Sequence, residues 1–158
     1  MTFAQRFSLF LLRISLGWLM FYAGITKILN PEWSARGYLG GAATFTSFYQ
    51  WLASPNVLPF IDAINEWGLT FLGISLILGL YVRLSASLGA VLMILYYFPV
   101  LQFPHVPPHS YLVDEHVVYA LALVVLAVFR SGRMWGLHRW ASRLPYCRRF
   151  PKLMNWLG

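Results

Sequence analysis

Five carboxylates are all that the 158 residues contain: Glu32, Asp62, Glu66, Asp114 and Glu115. Four of them open two apolar runs, Asp62 and Glu66 in one and Asp114 and Glu115 in the other, where His116 follows directly. Carboxylates and imidazole are the side chains that burial and neighbouring charge bring into titration near neutral pH. Glu66, Glu115 and His116 are therefore the candidates for proton transfer, the catalytic role. His105 and His109 raise the question of a metal, since imidazole nitrogen suits zinc, copper or iron. Pro104, Pro107 and Pro108 forbid a helix there, which leaves the histidine spacing without a fixed geometry, and no metal site is expected. The single cysteine, Cys147, rules out an intrachain disulfide and argues against a cysteine-based cluster.

What positions these groups is a membrane fold. The chain is 59% hydrophobic and 11% charged, against about 25% charged in ordinary soluble domains. A helical span needs about 20 apolar residues, and four such stretches are predicted, over 7–29, 60–80, 84–103 and 114–129. The fourth is short and is expected to extend across Arg130, whose long stem can snorkel. The expected fold is all-α: a four-transmembrane-helix bundle over 1–137, an interfacial outer loop, and a basic amphipathic tail over 138–158. Arg13 interrupts the first apolar stretch and no small-x-small cleavage site follows it, so that stretch is predicted to be a retained helix rather than a signal peptide.

Charge then orients the bundle. Seven cations follow Phe129 (Arg130, Arg133, Arg139, Arg143, Arg148, Arg149 and Lys152) with no acid among them. The positive-inside rule places the C-terminus, and with four spans the N-terminus also, in the cytoplasm. All five acids then fall on the outer side. Asp114 suits a helix N-cap, and the helix dipole favours acids at that end, but each end carries two acids where one would serve. At 100° per residue, Arg13, Gly17, Gly24 and Lys27 fall within about 80° of one another. Asp62, Glu66 and Gly73 share a second face, Ser85, Gly89 and Tyr96 a third, and Glu115, Tyr119 and Ala122 a fourth. Small residues beside polar ones mark helix–helix contact in lipid. Ionisable groups at membrane depth face the bundle interior or a wet cavity. Two readings stay open for Arg13, Lys27, Glu66 and Glu115: a ligand pocket, or a purely structural polar core. The outer loop from Thr44 to Pro55 is aromatic and weakly amphipathic and is expected to form a short helix in the interface or over the bundle mouth. The arginine- and tryptophan-rich tail is expected to dock on membrane lipid, not nucleic acid.

Three pieces of sequence, "LRISLGWLMFYAGITKILNP", "INEWGLTFLGISLILGLYVRLSASLGAVLM" and "VDEHVVYALALVVLAVFRSGRMWGL", occur in an order and spacing that resembles the DoxX family and its DoxD-like relatives. The latter are subunits of thiosulfate:quinone oxidoreductase. The resemblance implies an integral protein of the prokaryotic inner membrane. For the DoxD-like branch it implies oxidation of thiosulfate to tetrathionate with electrons passed to membrane quinone, together with a second redox subunit or a homo-oligomer. Other members of the wider family work in redox-linked membrane complexes or have no assigned activity, and the alternative for this chain is a non-catalytic membrane scaffold or assembly factor. Quinone reduction needs proton donors and aromatic surface beside a lipid-accessible slot. The residues at hand for binding a quinone or substrate are Arg13, Tyr22, Lys27, Asp62, Trp67, Tyr96 and Tyr119, with Tyr97 a further aromatic. An anionic sulfur substrate would depend on Lys27 and Arg36, the cations expected outside.

Overall fold

The computed structural model describes residues 1–142 and Leu157; beyond Ser142 the expected basic tail, Cys147 included, lies outside the described residues. Helix α1 (Phe3–Ile28) begins at a reciprocal cap: Thr2 Oγ1 accepts from Gln5 N–H, and Gln5 Oε1 accepts from Thr2 N–H. Its buried side, Arg13, Leu16, Gly17, Met20 and Gly24, follows the helical repeat. That side packs on a continuous helix over Leu58–Leu78. This helix has three parts: α4 (Leu58–Ala63), a π turn (Ile64–Gly68) and α5 (Leu69–Leu78).

Close approach explains the small residues. A Cβ on Gly73 would lie 2.3 Å from the backbone nitrogen of Phe21, and one on Gly24 would lie 2.5 Å from the backbone nitrogen of Thr70. The two helices touch backbone to backbone, as expected where lipid supplies no hydrophobic drive and packing must hold helices together. Gly79, at φ +67°, ends α5, a left-handed position that glycine adopts without a Cβ clash.

Helix α6 (Val82–Val100) returns across the bundle and packs against α7 (Glu115–Val128). Leu16, Met20, Leu76, Ala86, Met93 and Leu123 are among the core they share. Between α6 and α7 the proline-rich segment forms a two-stranded antiparallel hairpin, β1 (His105–Val106) and β2 (Ser110–Tyr111). The His105 ring lies edge-on to Tyr111 at 5.5 Å, so its place is in the hairpin.

Among the described residues, three helices are long and apolar enough to cross a membrane: Phe3–Ile28, Leu58–Leu78 and Val82–Val100. The fourth expected span is shorter than expected, although it runs from one end of the bundle to the other. Helix α7 has 14 residues, about 21 Å at 1.5 Å per residue, short of the ~30 Å hydrocarbon thickness. It does not run on through Arg130: that residue adopts a left-handed conformation at φ 49°, and a 3₁₀ turn, Ser131–Arg133, follows. Helix α8 (His138–Ala141) then packs back, with His138 buried and its backbone N–H donating to Gly79 O.

The long loop after α1 does carry short helices, α2 (Arg36–Gly40) and α3 (Thr46–Leu52). They fold over the bundle end. Tyr49 donates to Leu95 O at 2.9 Å, Thr44 to Leu101 O at 2.6 Å, and Ala43 N–H to Pro99 O at 2.8 Å. Leu95 O is free because Pro99 has no N–H, and Pro99 O and Leu101 O lie at and just past the end of α6, where the helix offers no donor. The N-terminal rings Phe3, Phe7 and Phe10 meet Trp135 at the opposite end, so α1 begins where α7 has returned. All five acids gather at the end covered by α2 and α3, and Arg6, Arg83, Arg130 and Arg133 at the other. These are the acidic and basic ends.

Candidate functional site

At the acidic end a cleft of about 250 Å³ opens between α1, the loop helices, α6 and the start of α7. Lys27 enters from the last turn of α1. Its ammonium donates to Ala23 O at 2.9 Å and sits 5.2 Å from the centre of the Trp33 ring, a cation–π contact. His116 enters from the first turn of α7. Its Nδ1 lies 2.6 Å from Asp114 Oδ2, while Asp114 Oδ1 accepts from Val117 N–H as the helix cap. One carboxylate thus both starts the helix and fixes the imidazole. A carboxylate on Nδ1 selects the tautomer with the proton there and leaves Nε2 for a ligand.

Asn65 and Tyr96 form the floor. Tyr96 Oη donates to Asn65 Oδ1, and Asn65 Nδ2 donates to Ile61 O at 2.8 Å. Asn65 lies in the π turn, where the widened helix leaves carbonyls free for side chains; such turns recur at functional sites. The Tyr96 ring stands edge-on to His116 at 6.0 Å and to Tyr38 at 6.2 Å. Tyr38 donates to the Tyr96 carbonyl. Burial first, then the negative charge of Asp114, pushes the Tyr38 phenol up to about 12, so it remains a donor at neutral pH.

Of the residues expected here, Lys27, Tyr96 and His116 line the cleft. Asp62 stands beside it: its Oδ1 accepts from Ala35 N–H at 2.8 Å and its Oδ2 from Ser34 Oγ at 2.9 Å, pinning the loop that forms one wall. The rest are corrected in position. Glu115 does not turn into the bundle; it is exposed, because the buried stripe of α7 runs through Ala120, Leu123 and Ala127, and His116, four residues before Ala120, is the residue in phase with it. Glu66 is half-buried and does not line the cleft; no ion pair joins it to Lys27. The π turn puts its neighbour Asn65 inward instead. Tyr22 and Trp67 point outward, Trp67 stacking on Phe71. Tyr119 packs against the core.

Arg13 belongs elsewhere. It shares a face with Lys27, but 14 residues at 1.5 Å put them about 21 Å apart along α1. Fully buried, it donates to Ser131 O at 2.6 Å, Met134 O at 3.0 Å and Trp135 O at 3.2 Å. It is a clamp on the turn after α7, at the basic end.

Trp33, Tyr38 and Asn65 escaped the sequence reading. The loop residues carry no periodicity, and an i→i+5 turn leaves no pattern in the sequence. His116 had a signal: with Ala120, Leu123 and Ala127 it repeats at 4, 3 and 4 residues along the buried side of α7.

No curated protein and no solved structure matches this chain. A family model described as DoxX matches residues 8–101, from within α1 to just past α6. That match takes in the Lys27, Asn65 and Tyr96 sides of the cleft and more than half of the sequence, and with three membrane-length helices behind it this membrane protein belongs to the DoxX family.

Proposed function

We propose that the acidic-end cleft binds the head group of a membrane quinone, in a membrane subunit of a redox complex that passes electrons from thiosulfate or another reduced sulfur donor to quinone. The observation that carries the reading is that Lys27 and the carboxylate-held His116 line one aromatic-walled cleft. A quinone presents two carbonyl oxygens. The Lys27 ammonium has three N–H donors and commits one to Ala23 O; His116, as the imidazolium held by Asp114, offers Nε2–H. As charge develops on the ring oxygens, both donors become stronger partners. Reduction takes two electrons and two protons to quinol, and joining two thiosulfates through a new S–S bond releases those two electrons. His116 passes one proton to a quinone oxygen, Asp114 stabilising the imidazolium before the transfer, and the second proton comes from water at the open mouth of the cleft. The electron donor acts through a second redox subunit or a second copy of the chain. The site is in the inner membrane of a prokaryote, with both termini in the cytoplasm.

A non-catalytic scaffold is the second reading. It is favoured by Asp62, Tyr38 and Tyr49, whose polar atoms hold the loop helices down. The two readings separate in a binding experiment. Titrating the detergent-solubilised chain with a short-chain quinone should quench tryptophan fluorescence saturably, and Trp33→Phe should remove the saturable component. Lys27→Met and His116→Gln should each weaken binding by about tenfold, the loss of one charge-assisted hydrogen bond. Quenching that never saturates would leave the scaffold reading standing.

A further inference from the structure

A furrow runs down the outside of the bundle between α6 and α7. On α6 its wall is Arg83, Ser87, Val91 and Ile94; on α7 it is Leu121, Val124 and Val128, with Arg130 in the turn just past the helix. The α6 residues and the α7 residues up to Val128 step by three and four, so each set is a single stripe of its helix. The furrow has two connected parts that share Val124. At the basic end a hollow of about 360 Å³ holds Arg83, Ser87 and Arg130. Towards the acidic end a wholly apolar trough of about 350 Å³ continues to Leu95 and Val117. We infer that this furrow binds an anionic phospholipid, with its phosphate at Arg83 and Arg130 and one acyl chain laid along the trough.

Charge complementarity selects the occupant. Arg83 from α6 and Arg130 from the turn after α7 both line the polar hollow, and a planar fork of donors suits phosphate oxygens. No carboxylate lies among the residues that line either part. Length agrees as well. From Arg83 to Leu95 is 12 residues, about 18 Å along α6, close to half of the ~30 Å hydrocarbon layer. A lipid whose head is held at the basic end therefore has its chain in the trough and its tip near the midplane. Leu121 and Val124, 62% and 47% exposed, leave the trough open to lipid. The furrow shares no lining residue with the acidic-end cleft, so this site stands whether or not a quinone binds there.

Native mass spectrometry of the full chain, released from mixed micelles of phosphatidylglycerol and phosphatidylcholine, tests the assignment. The parent should retain one phosphatidylglycerol in preference to phosphatidylcholine. Removing both charges, in Arg83→Gln/Arg130→Gln, should weaken retention by about thirtyfold, as two cations at a lipid surface imply. Val124→Trp fills the trough where it meets the hollow and leaves both arginines in place; it should abolish retention too. Inorganic phosphate at millimolar level should not displace the lipid, because the chain supplies part of the affinity. Equal retention of the two lipids, displacement by phosphate alone, or a protein dimer in place of the lipid adduct would overturn the proposal. So would a Val124→Trp chain that holds phosphatidylglycerol like the parent, since the lipid would then sit elsewhere.

Discussion

Replacing Arg13 by methionine should loosen the basic end without touching the cleft. The side chain is fully buried and gives hydrogen bonds to the carbonyls of Ser131, Met134 and Trp135. Methionine keeps most of the volume and makes none of them. The buried Ser131 carbonyl keeps the Met134 N–H at 3.0 Å but loses its charged donor, a hydrogen bond of about 1.5–3 kcal/mol. Met134 is half-buried and Trp135 is exposed, so their carbonyls recover water and cost less. Removing a buried charge also returns some desolvation energy. The balance is a loss of about 3 kcal/mol. At 2–4 °C per kcal/mol for a chain of this size, that lowers the unfolding midpoint by roughly 6–12 °C. Thermal unfolding in detergent reads it directly, and limited trypsin digestion should show earlier cleavage at Arg130 and Arg133. Arg13→Lys should fall between the two, because one ammonium cannot span three carbonyls. Quinone binding by Arg13→Met at a temperature where it is folded should equal that of the parent. A midpoint within about 2 °C of the parent would refute the clamp, and a folded variant that loses quinone binding would return Arg13 to the site.

Gly73→Ala should destabilise by about 1–3 kcal/mol, because its Cβ would press on the Phe21 backbone and part α1 from α5. Gly68→Ala, whose Cβ meets only Ile64 at 3.7 Å, should be neutral or gain about 0.5–1 kcal/mol from helix propensity; equal effects in thermal melts would contradict the close crossing. Tyr38, raised from 10.0 to about 12, contributes stability that is fully present below pH 10 and is lost as pH rises through about 12. Tyrosinate absorbance should show one late-titrating phenol fewer in Tyr38→Phe than in the parent. A reporter fused after Gly158 should be active on the cytoplasmic side; activity confined to the outer side would reverse the orientation drawn from the basic residues.

The sequence reading placed the elements better than it placed side chains within them. Arginine placement and apolar length located α1, the second helix and α6 to within a few residues, and the prolines kept residues 104–108 out of a helix. The glycines marked the α1–α5 crossing, because small residues are what let backbones approach in lipid. Asp114 is the cap that its position suggested. Inward and outward faces were harder. In a membrane the outer surface is as apolar as the core, so hydrophobic periodicity does not separate them. Grouping Glu115 with Tyr119 and Ala122 therefore chose the wrong side of α7, where the alanines Ala120 and Ala127 would have chosen His116. Phase also carries no depth, which is how Arg13 and Lys27 came to be paired across about 21 Å. The π turn at Ile64–Gly68 shifts the register by inserting i→i+5 bonding, and so exchanges Glu66 for Asn65. The length of α7 was set by a left-handed turn at Arg130 that composition does not reveal.

The central claim is that Lys27 and His116 hydrogen-bond the two carbonyls of one quinone. Infrared difference spectroscopy on the full chain, loaded with a quinone isotopically labelled at one carbonyl at a time, measures each bond separately. Both carbonyl stretches should fall below their values for the same quinone dissolved in lipid. Lys27→Met should restore one band, His116→Phe the other, and Glu115→Gln neither. Two unshifted bands in the parent, or shifts that persist in both the Lys27 and His116 variants, would contradict the account.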